Sequence, residues 1–165
     1  MSISNLGELK TAIANYAHRS DLTDQMSTFT DLARSRISKD LRTQEMEYRS
    51  RDTISAAHHP LPTDYLEMRN LHIESGGNRY RIQFLPPDQM DFHYGGATSG
   101  MPSAYTVFNR QIELRPAPDS DYSAEIYYFA KPAAMSDDAD TNDVLTAYPE
   151  IYLYACLAEV GIYLE

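Results

Sequence analysis

The spacing of apolar residues changes twice along this chain, and those changes constrain the fold more than any single motif. Near the start, Leu6, Leu9, Ile13, Tyr16 and Ala17 form one stripe, and Met26, Phe29, Ala33, Ile37 and Leu41 form a second. Recurrence every three or four residues is the mark of an amphipathic helix. Asn5, with Glu8 three positions later, makes a capping pair for the first helix: a side-chain oxygen takes an orphan N–H while the glutamate reaches back. The second starts after Asp21 or Thr23 and carries Asp31, Arg34, Lys39 and Asp40 mostly on its other face. A short turn at His18-Arg19-Ser20 makes an antiparallel pair the natural product.

From Glu45 the period shortens. Met46, Tyr48 and Thr53-Ile54 sit among alternating polar residues, and Pro60 and Pro62 close the run, so a strand is expected. Leu71-His72-Ile73 and Tyr80-Arg81-Ile82 flank Gly76-Gly77-Asn78, which supplies the positive φ of a hairpin turn. Pro86-Pro87-Asp88 opens a short helix through His93, and residues 95–100 form a glycine-rich loop. Tyr105–Phe108 and Gln111–Leu114 pair across Asn109-Arg110, and Ser123–Ala130 adds another strand. Five or six strands suffice for a small sandwich or rolled sheet.

The second change comes at Tyr148-Pro149-Glu150, where a helix begins that is apolar on nearly every face: Ile151, Tyr152, Leu153, Tyr154, Leu157, Val160, Ile162 and Tyr163. Such a helix is sandwiched within its fold or covered by a neighbouring subunit. The expected class is therefore α+β, with the N-terminal helical pair and the C-terminal helix packed together and an antiparallel β-sandwich-like module inserted between them. The boundaries read as 1–44 for the helical hairpin, 45–135 for the β module and 136–165 for the loop and last helix, in one structural unit overall.

At 165 residues, 42% hydrophobic and 23% charged, the chain is long enough and apolar enough to bury a core. Its formal charge of -10 repels phosphate polymers and anionic lipid, which argues against a DNA-gripping or membrane-surface protein. Cys156 has no cysteine to pair with and sits in an apolar run, where it reads as a small buried hydrophobe. Neither a leader peptide nor an apolar window of membrane-spanning length is legible, so a soluble, cytosolic chain is expected.

Candidate chemistry is thin. His58-His59 on an extended segment point to opposite faces, and His18, His72 and His93 are scattered, so no zinc site is expected. Asp138, Asp140 and Asn142 match the first, third and fifth positions of a calcium loop, but Asp143 replaces the glycine and Pro149 the bidentate glutamate. That segment reads as a solvated loop with helix-capping carboxylates. Gly95, Gly96 and Gly100 lack the residues that complete a phosphate loop. No serine lies in G-x-S-x-G, and Cys156 lacks an electropositive setting. Paired carboxylates remain open, since any two of 24 can meet in space. Thirteen tyrosines without a tryptophan fit core packing, a subunit interface or a ligand platform.

Four phrases in order carry a resemblance: Leu61-Pro62-Thr63-Asp64-Tyr65-Leu66-Glu67-Met68-Arg69, Leu114-Arg115-Pro116-Ala117-Pro118-Asp119, Tyr127-Tyr128-Phe129-Ala130-Lys131-Pro132, and Asn142-Asp143-Val144-Leu145 leading to Tyr148-Pro149-Glu150-Ile151-Tyr152-Leu153-Tyr154-Ala155. With the paired N-terminal helices, they make nearly the whole chain resemble the head-to-tail adaptor (connector) proteins of tailed bacteriophages, a group that includes tail tubular protein A. The resemblance implies a non-enzymatic virion protein without cofactor, metal or catalytic residue. It implies a homo-oligomeric ring, usually of twelve copies, between the portal protein and a tail nozzle or tail tube protein, with DNA passing through the lumen unread and no membrane involved. An acidic lumen suits such passage. The expected interface residues are Tyr148, Ile151, Tyr152, Tyr154 and Tyr163. In that family the last helix usually continues for several turns, whereas here the apolar pattern stops at Gly161–Glu165, which reads as a shortened chain with Leu164-Glu165 as a cloning remnant. Two rivals remain: a carbohydrate- or receptor-binding β module of a phage tail that uses surface tyrosines, and a small hydrolase with unidentified carboxylates.

Overall fold

A computed structural model describes residues 3–96 and 99–164. Ala97 and Thr98 of the expected glycine-rich loop, and Glu165 of the terminal dipeptide, lie outside the described residues. The fold is α+β, with five helices and a seven-stranded sheet among the described residues, and the chain divides into two compact units, Met1–Met46 with Lys131–Glu165 and Glu47–Ala130.

In the helical unit, α1 (Leu6–Ala17) is capped as its sequence dictates, Asn5 Oδ1 accepting from the Glu8 N–H at 2.9 Å. Glu8 reaches one residue further back than a capping box requires, accepting from the Ser4 N–H at 2.7 Å. Two more orphan donors of this helix end are met from far along the chain: the Leu6 and Gly7 N–H groups each donate, at 2.9 Å, to the carbonyls of Asp140 and Asp138. That approach explains a glycine inside a helix, because a Cβ at Gly7 would meet Asp138 Cβ at 3.1 Å. A 3-10 turn, Thr23–Gln25, leads into α2 (Met26–Asp40). A separate helix, α4 (Asp143–Ala147), precedes α5 (Pro149–Leu164), where the sequence pattern had marked only a loop. Both α1 and α2 pack against α5. Leu9, Ile13, Phe29, Ala33, Ile37, Tyr152, Cys156 and Val160 are buried there, as most of the apolar positions read from the sequence require, but Tyr16 of the first stripe is 60% exposed.

The β unit holds seven strands among the described residues, more than the five or six expected. Glu47–Ile54 is β1, and His58–Pro60 forms a short β2 of its own instead of extending the first strand. The third strand, β3 (Tyr65–Ser75), is longer than its hydrophobic run, because Tyr65–Asn70 pairs through two register shifts that the alternation does not announce. It turns at Gly76 and Gly77, with φ of 56° and 78°, into β4 (Asn78–Phe84). Helix α3 (Pro87–Tyr94) follows, then β5 (Ala104–Phe108), β6 (Gln111–Arg115) and β7 (Tyr122–Ala130). The order is β1-β7-β3-β4-β5-β6-β2, antiparallel except for β4–β5. Ile54 on β1 and Ile112 on β6 share one buried cluster with Leu71, Ile82, Leu114 and Ile126, so the sheet curls round a single core. On β7 the even-numbered residues from Tyr122 to Ala130 face that core and the odd-numbered ones face away.

Candidate assembly surface

The five tyrosine and isoleucine positions singled out on the last helix separate by environment. Tyr152 is a core residue and leaves the surface set: it is fully buried, and Asn142 Nδ2 donates to its hydroxyl at 2.9 Å. Burial pushes that hydroxyl up to about 12. Tyr148 precedes α5 and is half-buried, its hydroxyl donating to Glu45 Oε1 at 3.4 Å. The Glu45 carboxylate raises its pKa. Ile151 is half-buried. Tyr154 and Tyr163 are 63% and 57% exposed, and Ile162, at 60%, joins them. Tyr163 also sets its ring edge against Phe29, with centroids 5.4 Å apart. After Glu150 the only charged residue described on α5 is Glu159, which pairs with Arg36 at 2.6 Å and is largely buried. The solvent side of α5 from Tyr154 to Leu164 is therefore apolar, with Ala158 and Gly161 between its larger residues.

The calcium-like segment is tied up internally. Asp138 takes Lys10 at 2.7 Å, Asp140 Oδ2 accepts from the N–H groups of Ser136 and Asp137, and Asn142 Oδ1 caps α4 by accepting from the Leu145 N–H at 2.9 Å. The two backbone donors hold the Asp140 carboxyl below the usual range. Among the described residues, no group of three or more His, Cys, Asp or Glu is placed to hold a metal. His58 and His59 lie on the edge strand β2, where His59 Nε2 meets Asp52 Oδ2 at 3.0 Å.

A second surface emerges from strand register. The core-averted face of β1, β7, β3 and β4 gathers Arg49 and Arg51, Arg69, and Arg79 and Arg81 around Tyr127 and Phe129. At its centre Glu125 points away from the core yet is only 1% exposed, because arginines cover it. Arg51 donates to Glu125 Oε1 from Nε at 2.6 Å and Nη2 at 2.5 Å, Arg79 pairs with Oε2, and Arg49 stands 4.0 Å away. The Tyr127 hydroxyl donates to Oε2 at 3.0 Å and accepts from Arg79 at 2.8 Å. A carboxylate withdrawn from water is costly unless paired, and three guanidiniums meet that need. Sequence reading passed over this cluster, although the i, i+2 spacing of Arg49/Arg51 and Arg79/Arg81 places each pair on one strand face. Beside it lies an open groove of 530 Å³ whose lining includes Tyr65, Arg69, Arg81, Phe84 and Tyr105.

Residues 4–165 match the family model of the SU10 adaptor protein. The chain belongs to that family. The head-to-tail adaptor resemblance carried by the four phrases thus holds over almost the whole length of this adaptor, which is a bacteriophage structural component associating with other head or tail parts. No curated protein matches it. No helix among the described residues is long and apolar enough to cross a membrane.

Proposed function

We propose that this adaptor is a non-enzymatic virion protein that assembles as a ring of twelve copies between the portal and the tail nozzle or tail tube, and that DNA traverses its lumen without being read. The observation that carries the reading is the apolar solvent side of α5, where Tyr154, Ile162, Tyr163 and Leu164 stand exposed. Covering such a stripe removes apolar area from water at roughly 25 cal/mol per Å², a gain open only to an assembled form. Tyr154 and Tyr163, with Ile151 and Tyr148 at the margin, are the contact residues in this reading. The acidic balance of the chain, -10, suits a channel that lets DNA slide.

Electron microscopy of the chain mixed with a portal protein tests this. Rings seated on the portal are expected, and Tyr154→Ser with Ile162→Ser lowers their yield without lowering stability, since both side chains are exposed in the single chain. A lone monomer that ignores the portal overturns the proposal. The groove beside Tyr65, Phe84 and Tyr105 favours one second reading, a glycan- or receptor-binding module, because aromatic rings flanked by Arg69 and Arg81 can stack sugars. A glycan screen with hits lost on Phe84→Ala would favour it.

A further inference from the structure

We propose that the arginine face of the β unit is a copy-to-copy interface, and that its occupant is helix α3 of a second copy, presenting Asp88, Asp91 and Phe92. The inference rests on the ring reading above and names the pair of surfaces that would propagate the ring.

Three observations on the receiving side carry it. Five of the chain's 14 basic residues lie on this one face of a molecule of net charge -10. Its carboxylates are Glu47, Glu67, Glu74 and Glu125, of which Glu47 pairs with Arg69 and Glu125 is buried beneath guanidiniums. Arg81 forms no ion pair among the described residues, and the field it makes with Arg79 acts together with burial to lower the pKa of His72 on the same face. The face also stacks cations on rings, Arg69 over Phe129 at 5.3 Å and Arg79 over Tyr127 at 5.6 Å.

The donor side is complementary in charge and in chemistry. Buried Met90 anchors α3 to the module, while Asp88, Asp91 and Phe92 are exposed at i, i+3 and i+4 spacing on one side of the helix. Phe92 is 85% exposed, and neither aspartate has an ion-pair partner among the described residues. Carboxylates suit the Arg81 guanidinium, and an exposed ring suits the stacking that the receiving face already practises. The two surfaces share no residue, so each copy can give one and receive the other, the head-to-tail arrangement that closes into rings.

Sedimentation velocity of the full chain, alone and with portal, at about 50 and about 500 mM salt tests the pairing. Arg81→Glu or the pair Asp88→Lys with Asp91→Lys should each weaken association by about tenfold or more, and combining all three should restore most of it. Phe92→Ser should weaken it at both salt concentrations. Near-ultraviolet circular dichroism and thermal midpoints confirm that each variant is folded, as expected for exposed side chains. Rings on the portal that are indifferent to every one of these changes would overturn this interface and leave the ring reading standing. A wild-type chain that stays monomeric with and without portal would overturn both. Loss of labelled duplex-DNA binding in Arg81→Glu, with association unchanged, would assign the face to phosphate and overturn the proposal.

Discussion

Asn142 makes three hydrogen bonds from one nearly buried side chain. Its carbonyl caps α4, and its amide donates to the Ala133 carbonyl at 3.0 Å and to the Tyr152 hydroxyl at 2.9 Å. Asn142→Ala removes a cap worth about 1 kcal/mol and leaves buried acceptors unpaired at about 1–3 kcal/mol, so a loss of about 2–4 kcal/mol is expected in urea unfolding. Cys156 behaves in the opposite way, as a residue whose chemistry is switched off. Burial, reinforced by Glu159, pushes its thiol up to about 12. At pH 8 native thiol labelling should therefore run roughly a thousandfold slower than labelling of the urea-unfolded chain, because only the thiolate reacts. Equal rates in both states would place Cys156 at the surface.

Among the elements, the β3–β4 hairpin depends on backbone more than on side chains. Gly76 and Gly77 both occupy the left-handed region, and a Cβ at either would meet nothing within 4 Å. Substitution there tests backbone conformation alone, and Gly77→Ala should cost about 1 kcal/mol, read from the shift in urea midpoint. The β5–β6 turn reaches the same geometry with Asn109 and Arg110, at φ of 48° and 60°. Positive φ at both central residues gives the twist that two-residue hairpins need. The arginine face exists only because these turns and the β3 irregularities fix register, since a slip of one residue would send Arg79 and Arg81 into the core.

For the whole molecule, pH dependence follows from groups whose folded pKa lies below its ordinary value. His72 is lowered by burial and then by Arg79 and Arg81; Asp21 is lowered to about 2 by its hydrogen bonds from Arg19, and Glu8 by those from Ser4. In each case the unfolded chain takes up its proton first as pH falls. Stability is thus fully present above the unfolded values and is lost downward through the folded ones. Urea midpoints should fall first below about pH 6.5 and again from about pH 4 towards pH 2. His72→Gln should flatten the first descent and Asp21→Asn part of the second. A midpoint that rises between pH 7 and pH 5 would contradict this sign.

Local patterns settled much of this in advance. The helical stripes, the Asn5 cap, the glycine turn and the Asn109-Arg110 hairpin were legible because period, caps and positive φ act within a few residues. The apolar last helix was legible for the same reason, although which of its tyrosines are core was not: Tyr152 and Tyr154 look alike until Asn142 and the neighbouring helices bury one of them. Membership of the adaptor family was carried by phrases spread along the chain. Tertiary structure alone decided that β2 stands apart from β1, that β7 lies between β1 and β3, and that the 138–140 loop closes the start of α1. It alone drew Arg49, Arg51 and Arg79 around Glu125, because electrostatic pairing depends on distance in space, and strands far apart in sequence bring those charges within reach.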